Sequence, residues 1–483
     1  MQGLRIMSTI NKKCQVPTPR EIVVHMLDTI GYTSDLYGKR VLENSCGSGA
    51  FLSVIVERYI KDCLSRHLSQ HQICYGLQRD IHGFEKDRKL HKECIRKLDW
   101  IARAYGLDVI HWNIKRRNAL HAAKHGKYQF VIGNPPYLAY PEQDEATRSY
   151  IKKRFESCSN GKPDYYYAFI ESAINSLAPD GKLAYLVPAN FMKNQHSEKL
   201  RQLICPSLYK IEDYSHRRLF GKILTSSVIL YCNLSENVQM VEYKNVQYSE
   251  QFTVSKKEMV GKWKFGYASK KGDLVFADYF RACAPVATQF NRAFVISGWQ
   301  DCENDLIKLD KYQIEKAVLR KAAGPKSLQS NIEERIIFPY EFRGGEITHY
   351  SEERFKRLFP NAFQYLTQFK NSLEARDADK KSQWFEYGRS QLLLHLNQKK
   401  LILSSFVTQK PHVYLLDEDT VPYAGICVIA FQNHTLQNAL EILNSEEFMI
   451  YVKKTGVCTS GVSYRISPTD INKFRFPKDM LEG

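Results

Sequence analysis

The sequence lacks the features that would place the protein in a membrane or in an oxidising compartment. It has 12 cysteines among 483 residues, but they are irregularly spaced and no two form a Cys-x-x-Cys pair. This argues against a structural zinc site and against a disulfide framework. No apolar run approaches membrane-spanning length, and the amino terminus has no signal-peptide pattern. We therefore expect a soluble cytoplasmic protein with no metal site and no membrane partner.

The chain also lacks the complete form of two common phosphate-binding patterns. Residues 44–52 read NSCGSGAFL, without the third glycine of the Rossmann dinucleotide motif and without the Gly-Lys-Ser/Thr of a P-loop. An apolar strand is predicted before this stretch and a helix after it, an arrangement typical of nucleotide-binding α/β proteins. Gly47 and Gly49 would allow a ligand to approach the backbone closely. Taken alone, the stretch also fits an ordinary tight loop.

The charge balance is strongly basic. Lysine and arginine total 69 against 52 acidic residues, giving a net charge of +17 and a pI of about 9.2. The excess is present on both sides of residue 250, as expected if both parts contact one polyanion such as nucleic acid. A soluble protein that is merely basic would show the same balance.

The most informative motif is Asn-Pro-Pro-Tyr at residues 134–137. It follows the apolar run 128–132, which predicts a buried strand. The two prolines restrict the backbone, so Asn134 is held at the carboxyl end of that strand, where open α/β sheets bind ligands. The Asn134 amide oxygen and the Pro135 carbonyl would supply two acceptors for an exocyclic amine, and Tyr137 a flat face for a base. A simple turn after a core strand would fit the motif equally well.

The overall pattern predicts two domains, as the chain length also does. Up to about residue 245, strands alternate with helices, which predicts a doubly wound parallel sheet. Beyond this point the strands are less regular and aromatic residues are mixed with lysine and arginine, which predicts a mixed α+β domain. Such mixing suits base stacking and phosphate contact, although an α+β core with charged edges would look similar.

Thr18 and Pro19 precede an apolar run at residues 22–27. A threonine followed by proline favours a helix start, because the hydroxyl can cap the helix and proline suits the first turn. We therefore predict that a helix begins here with Thr18 as its cap.

In this order, Thr18-Pro19, the glycine turn, the Asn-Pro-Pro-Tyr motif and a separate carboxyl-terminal region resemble the gamma class of amino DNA methyltransferases. These are the adenine-modifying partners of restriction-modification systems. The resemblance spans most of residues 14–245, and a weaker likeness continues to residues 474–477. It implies a doubly wound, Rossmann-like domain at residues 1–245 that binds S-adenosylmethionine (AdoMet). It also implies a target-recognition domain at residues 246–483 that binds DNA.

The resemblance further implies roles for individual residues. The cofactor would be bound by Thr18, Pro19, Glu43, Cys46, Gly47, Gly49, Glu85, Asn118 and Phe169. Within this set, Glu85 would bind the ribose and Phe169 would lie against the cofactor adenine. Asn118 stands where the family has an acid that accepts from the adenine amine, and an amide oxygen can still accept. Tyr137 and Phe220 would stack on the two faces of the substrate base.

The implied reaction is transfer of the AdoMet methyl group to the N6 amine of an adenine flipped out of double-stranded DNA. Asn134, Pro135, Pro136 and Tyr137 would form the catalytic motif, with no metal or covalent intermediate. A monomer associated with the nucleoid through DNA is expected, with a cognate restriction endonuclease as a candidate partner. Open alternatives are cytosine-N4 methylation, methylation of RNA or a protein glutamine, and a catalytically silent DNA-binding subunit.

Overall fold

The described part of the chain folds into two compact units. A computed structural model describes residues 17–121, 127–215, 226–235, 238–247, 249–263, 265, 273–343, 346–379, 382–389, 392–431, 434–459 and 463–482. The first unit is Met1–Gly266 with Val457–Val462, and the second is Tyr267–Gly456 with Ser463–Gly483.

The first unit is built on a nine-stranded sheet. Its strands are β1 (Val41–Glu43), β2 (Ile81–Phe84), β3 (Asn113–Lys115), β4 (Tyr128–Gly133), β5 (Leu177–Pro188), β6 (Leu208–Asp213), β7 (Ser227–Asn233), β8 (Met240–Asn245) and β9 (Glu250–Ser255). Their order in the sheet is β3-β2-β1-β4-β5-β7-β6-β8-β9. The five strands from β3 to β5 are parallel, and β7 runs antiparallel to both of its neighbours. A mostly parallel sheet requires helical crossovers, and these are present.

Helix α1 precedes the first strand, and the other helices of the first unit connect consecutive strands. In its described residues they are α1 (Arg20–Thr29), α2 (Ala50–Ser65), α3 (Gln70–Asp80), α4 (Arg88–Ala104), α5 (Glu145–Arg154), α6 (Tyr165–Ser176) and α7 (Glu198–Ile204). Single-turn 3₁₀ helices occur at Ala119–His121, Tyr140–Glu142, Glu156–Cys158, Ala189–Met192, Gln195–Ser197 and Lys256–Glu258. None of the helices described anywhere in the chain combines the length and apolarity needed to cross a membrane.

Both faces of the sheet are covered by helices. On β1, Val41 belongs to one apolar core together with Phe51 of α2. The next residue, Leu42, belongs to the opposite core together with Phe169 of α6. Successive side chains of a strand point to opposite faces, so the two cores lie on the two sides of the sheet. This arrangement confirms the predicted doubly wound α/β fold.

The first unit continues past the predicted domain boundary at residue 245. Strand β9 pairs antiparallel with β8 from Glu250 to Ser255 and so extends the same sheet. Trp263 is buried in the core on one face of that sheet and donates from its backbone nitrogen to Met192. The unit therefore ends at Gly266, because the last strand and the segment after it still complete its core.

The second unit is a mixed α+β structure with several small sheets. The remaining strands are β10 (Leu274–Val275), β11 (Phe280–Cys283), β12 (Val295–Ile296), β13 (Gln300–Asp301), β14 (Leu306–Leu309), β15 (Tyr312–Glu315), β16 (Leu319–Ala323), β17 (Glu334–Ile337), β18 (Tyr340–Arg343), β19 (Glu346–His349), β20 (Lys400–Leu403), β21 (Phe406–Val407), β22 (Val413–Leu416), β23 (Val421–Pro422), β24 (Ile426–Ala430), β25 (Val457–Cys458, in the first unit), β26 (Tyr464–Arg465) and β27 (Arg475–Phe476). Two four-stranded sheets, β11-β24-β20-β22 and β12-β17-β16-β23, contribute to its core.

The helices of this unit are short. They are α8 (Asn291–Phe294), α9 (Pro325–Gln329), α10 (Glu352–Leu358), α11 (Pro360–Thr367), α12 (Lys370–Glu374), α13 (Leu436–Asn444), α14 (Glu446–Thr455), α15 (Pro468–Asn472) and α16 (Asp479–Glu482). Aromatic rings from α10 and from the loop before β20 meet in the core, where Phe355 and Phe385 stack with their centroids 4.8 Å apart. Many of the aromatic residues noted in the sequence thus build this core.

Candidate active site

The candidate site lies where β1 and β4 end side by side. These parallel neighbours are in register at Val41–Phe130 and Leu42–Val131. From β1 the chain continues outward to β2 and β3 on one side of the sheet, whereas β4 and β5 lie on the other side of β1. The direction in which successive strands are added therefore reverses between β1 and β4. Open α/β sheets bind ligands in the crevice at this reversal, at the carboxyl ends of the strands. The fold therefore brings the glycine turn after β1 next to the Asn-Pro-Pro-Tyr motif after β4.

Asn134 is held in this crevice by two hydrogen bonds. Its side-chain Nδ2 donates to Thr18 Oγ1 at 3.2 Å. Its backbone oxygen accepts from Ser45 Oγ, also at 3.2 Å. Its side-chain oxygen Oδ1 is buried and has no hydrogen-bond partner among the described residues. A buried acceptor without a partner is costly to maintain, so this oxygen suits a ligand that donates a proton.

Thr18 does not cap the first helix, and that prediction was wrong. Helix α1 begins at Arg20, its N-cap is Pro19, and no side chain caps it. The Pro19 carbonyl instead accepts from the backbone nitrogens of Ile22 and Val23. Thr18 is 6% exposed, and its hydroxyl accepts from Asn134 rather than from the helix. The donor to Thr18 is Asn134, which follows β4 and is distant in the sequence. The residues around Thr18 alone could not reveal it.

Tyr137 is fixed at both its hydroxyl and its ring. The hydroxyl donates to the Leu186 carbonyl at 3.0 Å. The ring lies edge-to-face with Tyr166, with centroids 6.2 Å apart, and the Tyr166 hydroxyl donates to Asn190 Oδ1 at 2.7 Å. Burial raises the pKa of Tyr137 above its ordinary value, so the hydroxyl stays protonated and remains a donor. The ring is therefore presented in one orientation at the edge of the crevice.

The two glycines of the turn have different surroundings. Both have left-handed backbones, with φ of +53° at Gly47 and +82° at Gly49. A Cβ built on Gly49 would lie 2.8 Å from Cys94 Sγ, whereas one on Gly47 would have no atom within 4 Å. Cys46 donates from its nitrogen to the Phe84 carbonyl at 2.9 Å. Gly49 is thus required for packing, and Gly47 borders open space in which a ligand could lie.

Glu85 fixes this turn against the neighbouring strand. One carboxylate oxygen accepts from the Gly47 nitrogen at 2.9 Å, and the other accepts from the Asp87 nitrogen at 2.7 Å. A carboxylate has about four acceptor positions, so acceptor capacity remains after these two bonds. Glu85 can therefore hold the turn and still accept from hydroxyl groups of a ligand.

Glu43, the last residue of β1, is a buried carboxyl group. It is 2% exposed, and its Oε2 has no hydrogen-bond partner among the described residues. Burial raises its pKa well above the usual range for a carboxyl. A Cβ placed on Gly133 of β4 would lie 3.6 Å from Glu43 Cγ. Such a carboxyl favours a positively charged partner in the same crevice.

Asn118 and Phe169 are brought together through Tyr165. Asn118 Nδ2 donates to the Tyr165 hydroxyl at 2.9 Å, and Asn118 Oδ1 accepts from the Leu120 nitrogen at 3.1 Å. The Tyr165 ring packs edge-to-face on Phe169 with a centroid distance of 5.3 Å. Phe169 is 4% exposed, and the Asn118 oxygen keeps one lone pair. Phe220, predicted to stack on the substrate base, lies outside the described residues.

Two residues that sequence reasoning missed also build the site. Asn44 accepts from the Tyr185 hydroxyl and donates from Nδ2 to the Phe169 carbonyl at 3.4 Å. Ser45 donates to the backbone of Asn134. Both are polar residues inside the glycine turn, a signal that was available in the sequence. Their partners lie on β5, α6 and β4, which only the fold reveals.

Comparison with known proteins shows what the region around this site resembles. Residues 62–220 match the family described as the Eco57I restriction-modification methylase. Over these residues the chain is similar to the methylases of that family. The matched residues include Glu85, Asn118, Phe169 and residues 134–137. The glycine turn precedes them.

Relatives of the whole chain are also methyltransferases. The Type II methyltransferase M.BstVI of Geobacillus stearothermophilus is 23% identical over 506 residues, covering 94% of this chain and 88% of the relative. The Type II restriction enzyme and methyltransferase RM.Eco57I of Escherichia coli is 22% identical over 76% of this chain, which spans 46% of that protein. These relatives confirm the predicted resemblance to the methyltransferases of restriction-modification systems.

The fold has a counterpart among solved structures. The Type IIL restriction-modification enzyme MmeI, solved in complex with DNA, superposes with a TM-score of 0.58 over 96% of this chain and 67% of its own. The sequence identity is 13%, so this likeness concerns the fold. It extends over residues of both units and supports the predicted doubly wound α/β fold of the first.

Proposed function

We propose that the chain is a sequence-specific DNA methyltransferase that transfers the methyl group of AdoMet to the N6 amine of an adenine. The observation that carries this proposal is the buried Asn134 Oδ1 at the carboxyl end of β4, which has no hydrogen-bond partner among the residues that the structure describes. An exocyclic amine donates two protons, and the motif offers a second acceptor in the Pro135 carbonyl. An amine substrate therefore fits the groups that the crevice presents.

The crevice fits AdoMet by the chemistry of its donor and acceptor groups. Glu43 Oε2, which has no hydrogen-bond partner among the described residues, suits the positively charged methionine end, and the open space beside Gly47 leaves room for a ligand against the backbone. Thr18 and Pro19 are proposed to cover the methionine end, and Glu43, Cys46, Gly47 and Gly49 to surround it. Glu85 would accept from the ribose hydroxyls, while Asn118 and Phe169 would contact the adenine ring. AdoMet, when bound, supplies an electrophilic methyl group.

The chain's own residues would then activate the target amine. The lone pair of an aromatic amine is delocalised into the ring, which makes the nitrogen a poor nucleophile. Asn134 Oδ1 and the Pro135 carbonyl would accept hydrogen bonds from the two amine N–H groups and hold the nitrogen near pyramidal geometry. In this geometry the nitrogen lone pair would point towards the methyl group, as an in-line displacement requires. Positioning and electrostatic stabilisation account for the rate in such a site.

The base would have to leave the duplex to reach this crevice. The fixed ring of Tyr137 would stack on one face of the flipped base, and Phe220 is proposed for the other. Stacking of a base on an aromatic side chain contributes about 1–3 kcal/mol. The second unit, Tyr267–Gly456 with Ser463–Gly483, would serve as the target-recognition domain. The net charge of +17 and the DNA complex of the structurally similar MmeI support duplex DNA as the substrate.

Three other substrates share the chemistry of this crevice. Cytosine carries an exocyclic N4 amine that Asn134 and Pro135 would hold in the same way, and RNA or a protein glutamine also presents an amine. A large second unit favours nucleic acid over glutamine, since a small side chain requires no such module. The methyltransferase relatives favour DNA over RNA.

The deciding experiment is long-read sequencing of DNA from cells that express this chain, scored for modified bases. We expect one short motif to be modified at a single adenine throughout the genome. Modification at cytosine would keep the proposed crevice chemistry and change the base. Unmodified DNA, from a protein that binds AdoMet when purified, would contradict DNA methylation and direct the search to RNA and protein.

A further inference from the structure

We propose that Thr18 is a positioning residue that acts through Asn134, an inference that rests on the proposed methyltransferase function. Thr18 Oγ1 accepts from Asn134 Nδ2 at 3.2 Å. An amide is planar, so holding one end of it fixes the direction of the other end. That other end, Oδ1, is buried and receives no hydrogen bond from any described residue. Thr18 thus determines where the proposed acceptor of the substrate amine lies.

The interaction prepares the acceptor before the substrate binds. Rotation of an asparagine amide about χ2 has broad minima, so an amide without a partner would populate many orientations. With Nδ2 held by Thr18, the amide plane is set, and an incoming amine selects the oxygen end because only that end accepts. Preorganised acceptors increase the rate of the chemical step, since no reorganisation is needed during the reaction. Thr18 should therefore affect methyl transfer more than binding.

Both partners of this hydrogen bond are firmly anchored in the first unit. Thr18 is 6% exposed and lies two positions before α1, whose Val23 and Met26 are fully buried. Asn134 is held from the other side by the hydrogen bond from Ser45 Oγ to its backbone oxygen. A hydrogen bond between two fixed elements can set an orientation, whereas one made by a mobile side chain cannot.

This role differs from the cofactor contact that the resemblance implies for Thr18. A residue that only contacts AdoMet would change the affinity for AdoMet, and its loss would be overcome by saturating cofactor. A residue that positions Asn134 would change the rate of transfer at saturating AdoMet and leave the affinity nearly unchanged. The two roles are therefore separated by measuring the rate and the affinity independently.

The test uses two variants of the full chain. Thr18→Val keeps the shape of the side chain and removes the hydroxyl, while Thr18→Ser keeps the hydroxyl and removes a methyl group. Single-turnover methylation of an unmethylated duplex that carries the motif identified by sequencing gives the rate at saturating AdoMet. Isothermal titration gives the AdoMet affinity, and thermal unfolding checks the fold. We expect Thr18→Val to slow transfer by about 10- to 100-fold, with AdoMet affinity little changed and Thr18→Ser close to wild type.

Each other outcome has a definite meaning. A Thr18→Val protein that transfers at the wild-type rate overturns the proposal, whether or not its AdoMet affinity falls. Equal loss in Thr18→Ser and Thr18→Val also overturns it, because the hydroxyl is then irrelevant. If Thr18→Val does not fold, Thr18→Ala is judged by the same rate criterion. A wild-type protein that binds AdoMet and methylates no DNA refutes the proposed function instead, and this is determined before any variant is compared.

Discussion

The Thr18 hydroxyl and the Asn134 side-chain amide form a hydrogen bond of 3.2 Å between residues separated by 116 positions in the chain. The bond connects the residue two positions before α1 with the turn after β4. It leaves Asn134 Oδ1 as a buried acceptor without a partner. The reactivity proposed for the crevice depends on that oxygen, and the first prediction concerns it.

Replacing Asn134 with alanine removes the acceptor proposed for the target amine. We expect methyl transfer to fall by at least about 10²–10³-fold, the usual cost of losing one preorganised hydrogen-bonding group. AdoMet affinity should stay nearly unchanged, since the amide faces the substrate amine. Single-turnover methylation and isothermal titration with AdoMet measure the two quantities separately. Substantial turnover by Asn134→Ala would refute the mechanism.

Two changes at Tyr137 separate its ring from its hydroxyl. Tyr137→Ala should weaken capture of the flipped base by about 1–3 kcal/mol, the contribution of one stacking face. Tyr137→Phe keeps the ring and removes the hydroxyl, with its hydrogen bond to the Leu186 carbonyl, so it serves as the matched control with a smaller effect. Fluorescence of a 2-aminopurine placed at the target position reports base flipping. Equal flipping by wild type and Tyr137→Ala would exclude the stacking role.

The two glycines of the turn should respond differently to alanine. Gly49→Ala places a Cβ 2.8 Å from Cys94 Sγ at a positive φ, so we expect a loss of roughly 1–3 kcal/mol in the free energy of unfolding. The Cβ added in Gly47→Ala would have no atom within 4 Å, so this variant should lose less free energy of unfolding. Its methyl group would instead occupy the space proposed for AdoMet and weaken binding. Chemical denaturation and AdoMet titration on both variants test this contrast.

Glu43 should make AdoMet binding dependent on pH. Burial raises the pKa of this carboxyl well above its usual value near 4.5, so protonation competes with a cationic ligand at a higher pH than it would at an ordinary carboxyl. A cationic ligand favours the carboxylate, so binding should release a proton wherever the carboxyl is protonated and should strengthen as the pH rises. Calorimetric titrations with AdoMet in two buffers with different ionisation enthalpies give the number of protons released on binding. Glu43→Gln should bind more weakly and lose the pH dependence; an unchanged profile would contradict the assignment.

Lys400 should stabilise the second unit without contacting the proposed site. Its buried Nζ donates to the backbone carbonyls of Asp417, Glu418 and Thr420 at 3.0, 3.3 and 3.0 Å. Lys400→Met would leave these acceptors without their donor, and we expect a loss of about 2–4 kcal/mol in the free energy of unfolding.

The control for this change is the neighbouring Lys399, which is exposed. Lys399→Met removes the same charge and should change stability by less than about 0.5 kcal/mol. Denaturant titration followed by fluorescence compares the two variants. Similar losses in both would mean that the three carbonyl contacts do not contribute as expected.

Local sequence was sufficient for the elements that carry the site. The apolar run at residues 128–132 predicted β4, and the two prolines predicted that β4 ends before Asn134. The glycine pair predicted a turn between a strand and a helix, and both glycines have positive φ. These features are decided by neighbouring residues, because backbone restriction and hydrophobic alternation act over short stretches of chain.

Contacts between distant segments were beyond such reasoning. Thr18 was predicted to cap α1, yet its hydroxyl accepts from Asn134. The contact of Asn44 with Tyr185 was not predicted at all. The domain boundary at residue 245 missed β9, whose place in the sheet depends on pairing with β8. In each case the deciding partner belongs to another element, so the outcome depends on the sheet order.

By itself, the sequence determined the doubly wound class of the first unit, the position of its ligand-binding turns and the likeness to gamma-class methyltransferases. It did so because strand and helix periodicities and proline and glycine constraints are local. Only the tertiary structure decided which polar atoms are paired. Within the described part of the chain, it left Asn134 Oδ1 and Glu43 Oε2 buried without partners, since hydrogen bonding inside a crevice depends on the strands and helices that surround it.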